Sequence, residues 1–585
     1  MDEYKSLKAQ LTAASLSASW DDILLAAKAI DKVESLGMTF AVESSLKEIE
    51  QLFPHEKVEK GARKLRQALY CLEKELEEDT FEDLSQCVAR HAKDRPKVIA
   101  IKDDRTSINW EDFDLHATQV ANKLLDLGMN KAKRVGVIGH TCHEFLEIFI
   151  GSLRAGLCIV PLSTLASPET LKLMGEDAGI HIWFVSEKYK KLVEPFEHEL
   201  EHKISFDFEA EGWMNYEKWR DKGSREKVEV TYNPSDEFDI MYSSGTTGIP
   251  KGIVHTRGGR HSRYSKGYKL GFWTESISLI STPLYSNTTM VSVLRTLAQG
   301  GQFILMKKFR EKDLLEVAER EKTTHAVLVP VQLQRLLAYP DFDIYDLRHF
   351  ELVMTTSAPL SVSIKQDMVK RWPGKFIEIY GLTEGGPITV LVTNDHPDKL
   401  HTVGQTADNS QILVIDEEGK EVPRGTIGEL IGISNNIMAG YHNRPKATKE
   451  AFGIQLYGKT WFRSGDYGAM DEEGFITLHG RKKETIISGG FNIYAVDLEE
   501  MLKRHEAVKE AAVFGIPSER WGETPMALVE IIEGKEIDTE ELLSWANERL
   551  GKAQRIQALE TREELARSPI GKVLKKVLKK PYWEE

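Results

Sequence analysis

Apolar and polar positions follow different rhythms along the chain, and each rhythm predicts its own kind of element. Up to about residue 79 the spacing is helical. Ser19 stands before Asp22 in capping-box-like spacing, and Ile23, Ala26, Ala27, Ile30 and Val33 form one face closed by Gly37. Leu46, Ile49 and Phe53 mark a short helix ended by Pro54. Val58, Ala62, Leu65, Leu69, Leu72 and Leu76 keep the spacing for about five turns. Residues 1–79 are therefore expected to form a helical extension, a small bundle or lid. It serves either as an added structural layer or as a surface for a homodimer or partner protein.

From Thr80 helices alternate with short apolar strands. Val98–Ile101, Arg134–Ile138, Gly156–Pro161, Leu279–Leu284, Gln302–Met306, Ala326–Pro330, Leu352–Thr355 and Phe376–Tyr380 read as strands. Trp110–Leu127 reads as an amphipathic helix closed by Gly128. This βαβ order predicts an α/β fold with parallel sheets covered by helices. Beyond about Ser410 hairpin signals take over: Ile412–Ile415 runs into Asp-Glu-Glu-Gly, and Asp471–Gly474 separates two further strands. The last hundred residues return to mixed α+β, with strands at Ala511–Phe514 and Ala527–Ile532 and a helix at Ile537–Leu550.

One loop interrupts this pattern with chemistry. After the buried-strand signal Phe238–Tyr242 come Ser243, Ser244, Gly245, Thr246, Thr247, Gly248, Ile249, Pro250 and Lys251. Such a stretch turns sharply and offers backbone N–H groups, hydroxyls and one cation to phosphate oxygens. It is not a Walker A loop, because Pro250 precedes Lys251 and Gly252 stands where Ser or Thr is required.

The bulk properties narrow the setting. A chain of 585 residues is too long for one core. A net charge of −14 argues against nucleic acid as a partner. The best candidate for a membrane span, Phe145–Leu162, carries Glu147 and Arg154, so no integral membrane segment is expected. The N-terminus lacks the basic-then-apolar order of a secretory signal. The four cysteines form no CxxC pair, which fits packing roles in a reducing cytoplasm.

Further stretches bear on the loop. They are Glu378-Ile379-Tyr380-Gly381-Leu-Thr383-Glu384-Gly-Gly, then Trp461-Phe-Arg-Ser-Gly-Asp466 followed by Arg481-Lys-Lys483 and Ser488-Gly489-Gly490-Phe-Asn, and finally Arg567-Ser-Pro-Ile-Gly571-Lys572. In this order, from about Thr80 to the C-terminus, the chain resembles the adenylate-forming superfamily of acyl-CoA synthetases, adenylation domains and beetle luciferases. It is most similar to the AMP-forming acid–CoA ligases. The resemblance implies a large adenylation domain over 80–482, with parallel sheets and a smaller β subdomain, and a small mobile C-terminal domain over 483–585. The substrates and cofactors implied are ATP, Mg²⁺, CoA and a small carboxylic acid.

The resemblance also assigns roles. The Ser243–Lys251 loop grips the β- and γ-phosphates, with Thr246 counted among the catalytic positions. Glu384 holds Mg²⁺, a hard cation suited to carboxylate oxygen. Thr383 reaches the α-phosphate region, and Glu378 to Gly381 together with Ser357-Ala358-Pro359 line the nucleotide. Asp466 accepts the ribose hydroxyls, and Arg481 contacts ribose and phosphate. Lys572 bridges the attacking carboxylate and the α-phosphate, a task for one flexible cation. Lys483 falls at the hinge, and Ser488-Gly489-Gly490 lines the thiol tunnel. The acid is expected to be mainly apolar, a fatty acid first and an aryl or alicyclic acid next, because Tyr285–Leu297 offers no charged anchor except Arg295. The alternatives are a stand-alone enzyme that loads a carrier protein, and a catalytically retired scaffold. The presence of Glu384, Asp466, Arg481 and Lys572 weighs against the scaffold.

Overall fold

The computed structural model describes Ile23 and residues 58–76, 80–131, 133–243, 250–488, 491–518, 520–551, 554–568 and 571–583. Of the predicted N-terminal helices, the first two lie outside these residues apart from Ile23, which is helical and fully buried.

Two large sheets carry the α/β part. In the nine-stranded sheet, Ile99–Lys102, Gln302–Leu305, Ile277–Ile280, His325–Val327, Leu352–Thr355 and Lys375–Leu382 are parallel neighbours, and antiparallel strands close both edges. In the eight-stranded sheet, Glu237–Ser243, Cys158–Pro161, Arg134–Ile138, Ile180–Val185 and His202–Ser205 are parallel neighbours. One apolar cluster draws Ile101 and Phe303 from the first sheet, Val135 and Phe238 from the second, and Phe113, Phe149 and Leu294 from helices packed with both. Strands covered on both faces read as continuous apolar runs, which is why Arg134–Ile138 is buried at every position.

The Phe145–Leu162 run is one of these internal elements. Every residue of helix His143–Arg154 is buried. Glu147 accepts from His116 Nδ1 and Tyr216 Oη at 2.7 Å each and pairs with Arg220 at 3.1 Å. Burial alone would raise the Glu147 carboxyl, and these partners hold it below its ordinary value instead. Among the described residues no helix is long and apolar enough to cross a membrane. All four cysteines are buried and free.

An antiparallel sheet follows, with Ser410–Ile415, Gly428–Ser434, Lys459–Met470 and Ile476–Arg481 hydrogen-bonded in turn. A last sheet, centred on Val508–Ser518 and Gly522–Ile531, has its own core around Leu498, Val513 and Leu542. Helix Val58–Leu76 docks on the large domain, and its buried stripe is Ala62, Leu65, Ala68 and Cys71 rather than one through Leu69. Polar contacts hold that face: Arg63 pairs with Glu275 and Glu351 at 2.9 Å each, Arg66 with Glu275 at 2.8 Å, and Gln67 donates to the Gly271 carbonyl at 3.0 Å. This helix thus packs on the large domain through both apolar and charged contacts.

Candidate active site

The site grows from the C-terminal ends of the parallel strands, where α/β sheets hold ligands. Strand Lys375–Leu382 turns back into Gly385–Val392 with Leu382 opposite Gly385, so Thr383 and Glu384 form the turn itself. Gly385 has φ +85°, and a Cβ there would lie 2.7 Å from Ile437 Cα. Only glycine lets the Asn436–Ile437 backbone close on this turn. Glu384 Oε1 accepts from Tyr441 Oη at 2.9 Å, and the Tyr441 ring lies 4.9 Å from Lys251 Nζ. Burial and the adjacent Glu384 carboxylate push the Tyr441 phenol up.

Lys251 opens strand Lys251–Thr256, which runs antiparallel to Glu237–Ser243 with Ser243 directly opposite. These two strands form an antiparallel pair, joined in sequence by the glycine-rich stretch. Ser244, Gly245, Thr246, Thr247 and Gly248 lie outside the described residues. The same hairpin carries a network that the sequence reading missed. Asp239 and His255 are cross-strand partners, with His255 Nδ1 at 2.6 Å from Asp239 Oδ1. His255 Nε2 lies 2.8 Å from the Thr383 carbonyl, and Arg260 forks onto Asp239 at 2.9 and 3.0 Å. Buried charge held in this way fixes the Thr383–Glu384 turn from below. The signal was the antiparallel register of the hairpin, which places residues sixteen apart side by side.

Asp466 and Arg481 are likewise cross-strand partners, joined at 2.7 Å from Arg481 Nε to Asp466 Oδ1. Tyr380 Oη donates to Asp466 Oδ2 at 2.7 Å. Burial raises the Asp466 carboxyl above its ordinary value, against Arg481, Tyr380 and Lys572. Lys572 comes from the far end of the chain on a tight turn: Ser568 N donates to the Lys572 carbonyl at 2.7 Å, and Arg567 bridges to Val573. Gly571, at φ +78°, lets this turn approach helix Pro330–Leu337, since a Cβ there would sit 2.5 Å from Val331. The Lys572 ammonium forms no ion pair with a described residue. Nearby protein and the Arg481 charge push its pKa down, with Glu484 and Asp466 opposing.

The remaining expected positions divide. Ser357 has φ +88°, a left-handed conformation unusual for serine, and its hydroxyl bonds Thr288 Oγ1. Ala358 and the exposed Pro359 follow it, beyond the end of strand Leu352–Thr355. Gly381 is exposed beside the turn. Ile379 packs with the cluster around Phe272 and Val291. The Glu378 carboxylate is buried and taken up by Lys365 at 2.5 Å. Lys483 is exposed in the short helical turn Lys482–Glu484, between Arg481 and the last sheet. Ser488 ends strand Ile486–Ser488, and Gly489 and Gly490 lie outside the described residues.

Residues 88–442 match the family model for AMP-binding enzymes, and residues 497–572 match the model for the C-terminal domain of AMP-binding enzymes. The chain belongs to the AMP-binding enzyme family. Among the curated relatives of this AMP-binding enzyme is the indoleacetate–CoA ligase of Aromatoleum aromaticum, 29% identical over 84% of this chain and 97% of the relative. Another is the long-chain-fatty-acid–CoA ligase FadD13 of Mycobacterium tuberculosis, 28% identical over 80% of this chain and 91% of the relative. The ATP-bound crystal structure of MatB from Rhodopseudomonas palustris superimposes with a TM-score of 0.77 at 26% identity, covering 86% of this chain and 99% of that one. The fold expected from the resemblance is the fold observed. The two curated ligases share a reaction type and differ in the acid.

Proposed function

We propose that this AMP-binding enzyme is an AMP-forming acid–CoA ligase acting on an acid with a mainly apolar body, a fatty acid being the first candidate. One observation carries the reading: Tyr380 and Arg481 hold Asp466 at 2.7 Å each, beside the turn where Tyr441 joins Glu384 and faces Lys251, so motifs far apart in the chain meet at one site.

In the first step a carboxylate oxygen attacks the α-phosphorus of ATP, the bond to the β-phosphate breaks, and pyrophosphate leaves. Bringing one anion onto another makes charge neutralisation and in-line placement the main demands. Lys572, which forms no ion pair with a described residue, is suited to bridge the two reacting anions. Asp466 would accept the ribose hydroxyls with Arg481 and Tyr380 fixing its orientation, and the Ser243–Lys251 stretch would grip the outer phosphates. Glu384 fits a hard cation, because Oε1 is fixed by Tyr441 while Oε2 accepts no hydrogen bond from a described residue. Mg²⁺ held there would neutralise phosphate charge. In the second step the CoA sulfur attacks the acyl carbon, the thiol proton is lost and AMP leaves. Rotation at Lys483 would exchange Lys572 for the Ser488–Gly490 turn, with residues 80–482 and 483–585 as the two moving bodies.

The test is pyrophosphate release over a panel of carboxylic acids, followed by acyl transfer to CoA or to a phosphopantetheinyl carrier protein. Acid-dependent pyrophosphate release and transfer to CoA are expected. Transfer to the carrier alone would replace the ligase by a carrier-loading enzyme.

A further inference from the structure

Helix Pro168–Ala178 ends with an acid that its own dipole disfavours. Asp177 stands in the last turn, where unpaired carbonyls form the negative end of the helix. Its contacts run to two other segments. Asp177 Oδ2 accepts from Tyr242 Oη at 2.8 Å, Oδ1 pairs with Arg444 Nη1 at 3.0 Å, and the backbone carbonyl accepts from Asn443 Nδ2 at 3.1 Å. The Met174 carbonyl of the same helix lies 3.1 Å from Tyr242 Oη. Only 15% of the Asp177 side chain is exposed. Burial and the Asp177 carboxylate push the Tyr242 phenol up, so it remains a donor.

Both segments lead to the nucleotide site. Tyr242 stands next to Ser243, at the end of strand Glu237–Ser243 from which the glycine-rich stretch departs. Arg444 closes a turn on the Tyr441 carbonyl, its N–H donating at 3.1 Å, with Asn443 left-handed at φ +51°. Tyr441 is the residue that holds Glu384 and faces Lys251. Gly252 lets the two segments close, since a Cβ there would lie 3.2 Å from Tyr242 Cζ and 3.3 Å from His442 Cβ. The His442 N–H donates to the Gly252 carbonyl at 2.7 Å, and Tyr441 pairs with Ile253 in antiparallel register. One carboxylate thus ties the strand before the glycine-rich stretch to the turn behind Glu384. The helix itself is closed without these contacts, by Gly179 at φ +64°.

We propose that Asp177 is a positioning residue for ATP: through Tyr242 and Arg444 it fixes the spacing between the Ser243–Lys251 stretch and Glu384. The proposal rests on the ligase reading above, which supplies the nucleotide, and adds to it a residue that acts only through others. Phosphate recognition needs its donors at set distances, and a shift of about 1 Å in either segment weakens it. The hydrogen bond and the ion pair share one carboxylate, so each fixes the orientation that the other needs.

The experiment measures ATP binding to the full chain by calorimetry, together with KM for ATP and for the acid in pyrophosphate release. Asp177→Ala is expected to raise Kd and KM for ATP on the order of 10-fold and to leave KM for the acid within about twofold. Asp177→Asn keeps an acceptor for Tyr242 and loses the ion pair, so its KM for ATP should fall between those of Asp177→Ala and the unmodified protein. Tyr242→Phe should add little in the Asp177→Ala background, where its partner is already gone. If Asp177→Ala does not fold, Arg444→Met decides. It removes one ion pair from a side chain that is 39% exposed, and should raise KM for ATP about threefold. An unchanged KM for ATP in these variants, with only a lower melting temperature, overturns the inference and leaves the ligase reading standing. Equal rises in KM for ATP and for the acid also overturn it. No ATP binding and no adenylation by the folded, unmodified protein overturns both readings.

Discussion

The turn Ser568–Lys572 and the helix Lys575–Lys579 place two lysines three residues apart in opposite surroundings. Lys575 Nζ pairs with Glu499 at 2.6 Å and Glu484 at 3.4 Å. Burial alone would lower its pKa, and the two carboxylates raise it instead. Lys572 has no such partner among the described residues, and burial with Arg481 lowers its pKa. A cation neutralised by its own protein is committed to holding structure. One left without a counterion keeps its charge for a ligand.

The contrast breaks if the two lysines respond alike to substitution. Lys572→Ala is expected to slow acyl-adenylate formation on the order of 1,000-fold. It should spare thioester formation from supplied acyl-AMP, as read by single-turnover assays of each step. Equal loss of both steps would sink the assigned role. Lys575→Met should act on stability instead, costing about 2–4 kcal/mol in urea unfolding because Glu499 is left buried without its cation. Its adenylation rate per folded molecule should stay within about threefold of the unmodified protein.

The smallest effect sharpens the structural side of the contrast, where helix Val58–Leu76 docks. His325 is fully buried there, and burial lowers its pKa to about 4. Glu351, held by Lys64 and Arg63 against the cost of burial, is lowered to about 2. The unfolded chain binds more protons than the folded one below the ordinary values of both groups, so stability falls as pH falls. The His325 contribution is complete above pH 6.5 and is lost down to about pH 4. Urea midpoints at pH 7 and pH 4.5 should therefore differ less in His325→Gln, by about 1–3 kcal/mol. An unchanged difference would show that His325 titrates normally.

Local pattern carried much of the fold. Arg134–Ile138 and Leu352–Thr355 have the bounds that their apolar runs predict. The run Ala326–Pro330 stops as a strand at Val327, because Pro330 suits the first turn of helix Pro330–Leu337. Motif order singled out Asp466, Arg481, Glu384 and Lys572. It passed over His255 and Asp239, whose meeting depends on hairpin register. Glu147 looked like an interruption of an apolar run and proved to be the centre of a buried network.

By itself the sequence determined which segments become helix or strand, and which residue types stand ready for adenylation chemistry. Both follow from neighbours within a few positions, through side-chain periodicity and backbone preference. The tertiary structure alone decided which charges are matched. A counterion acts over a few ångströms, and the chain brings those few ångströms together from segments hundreds of residues apart.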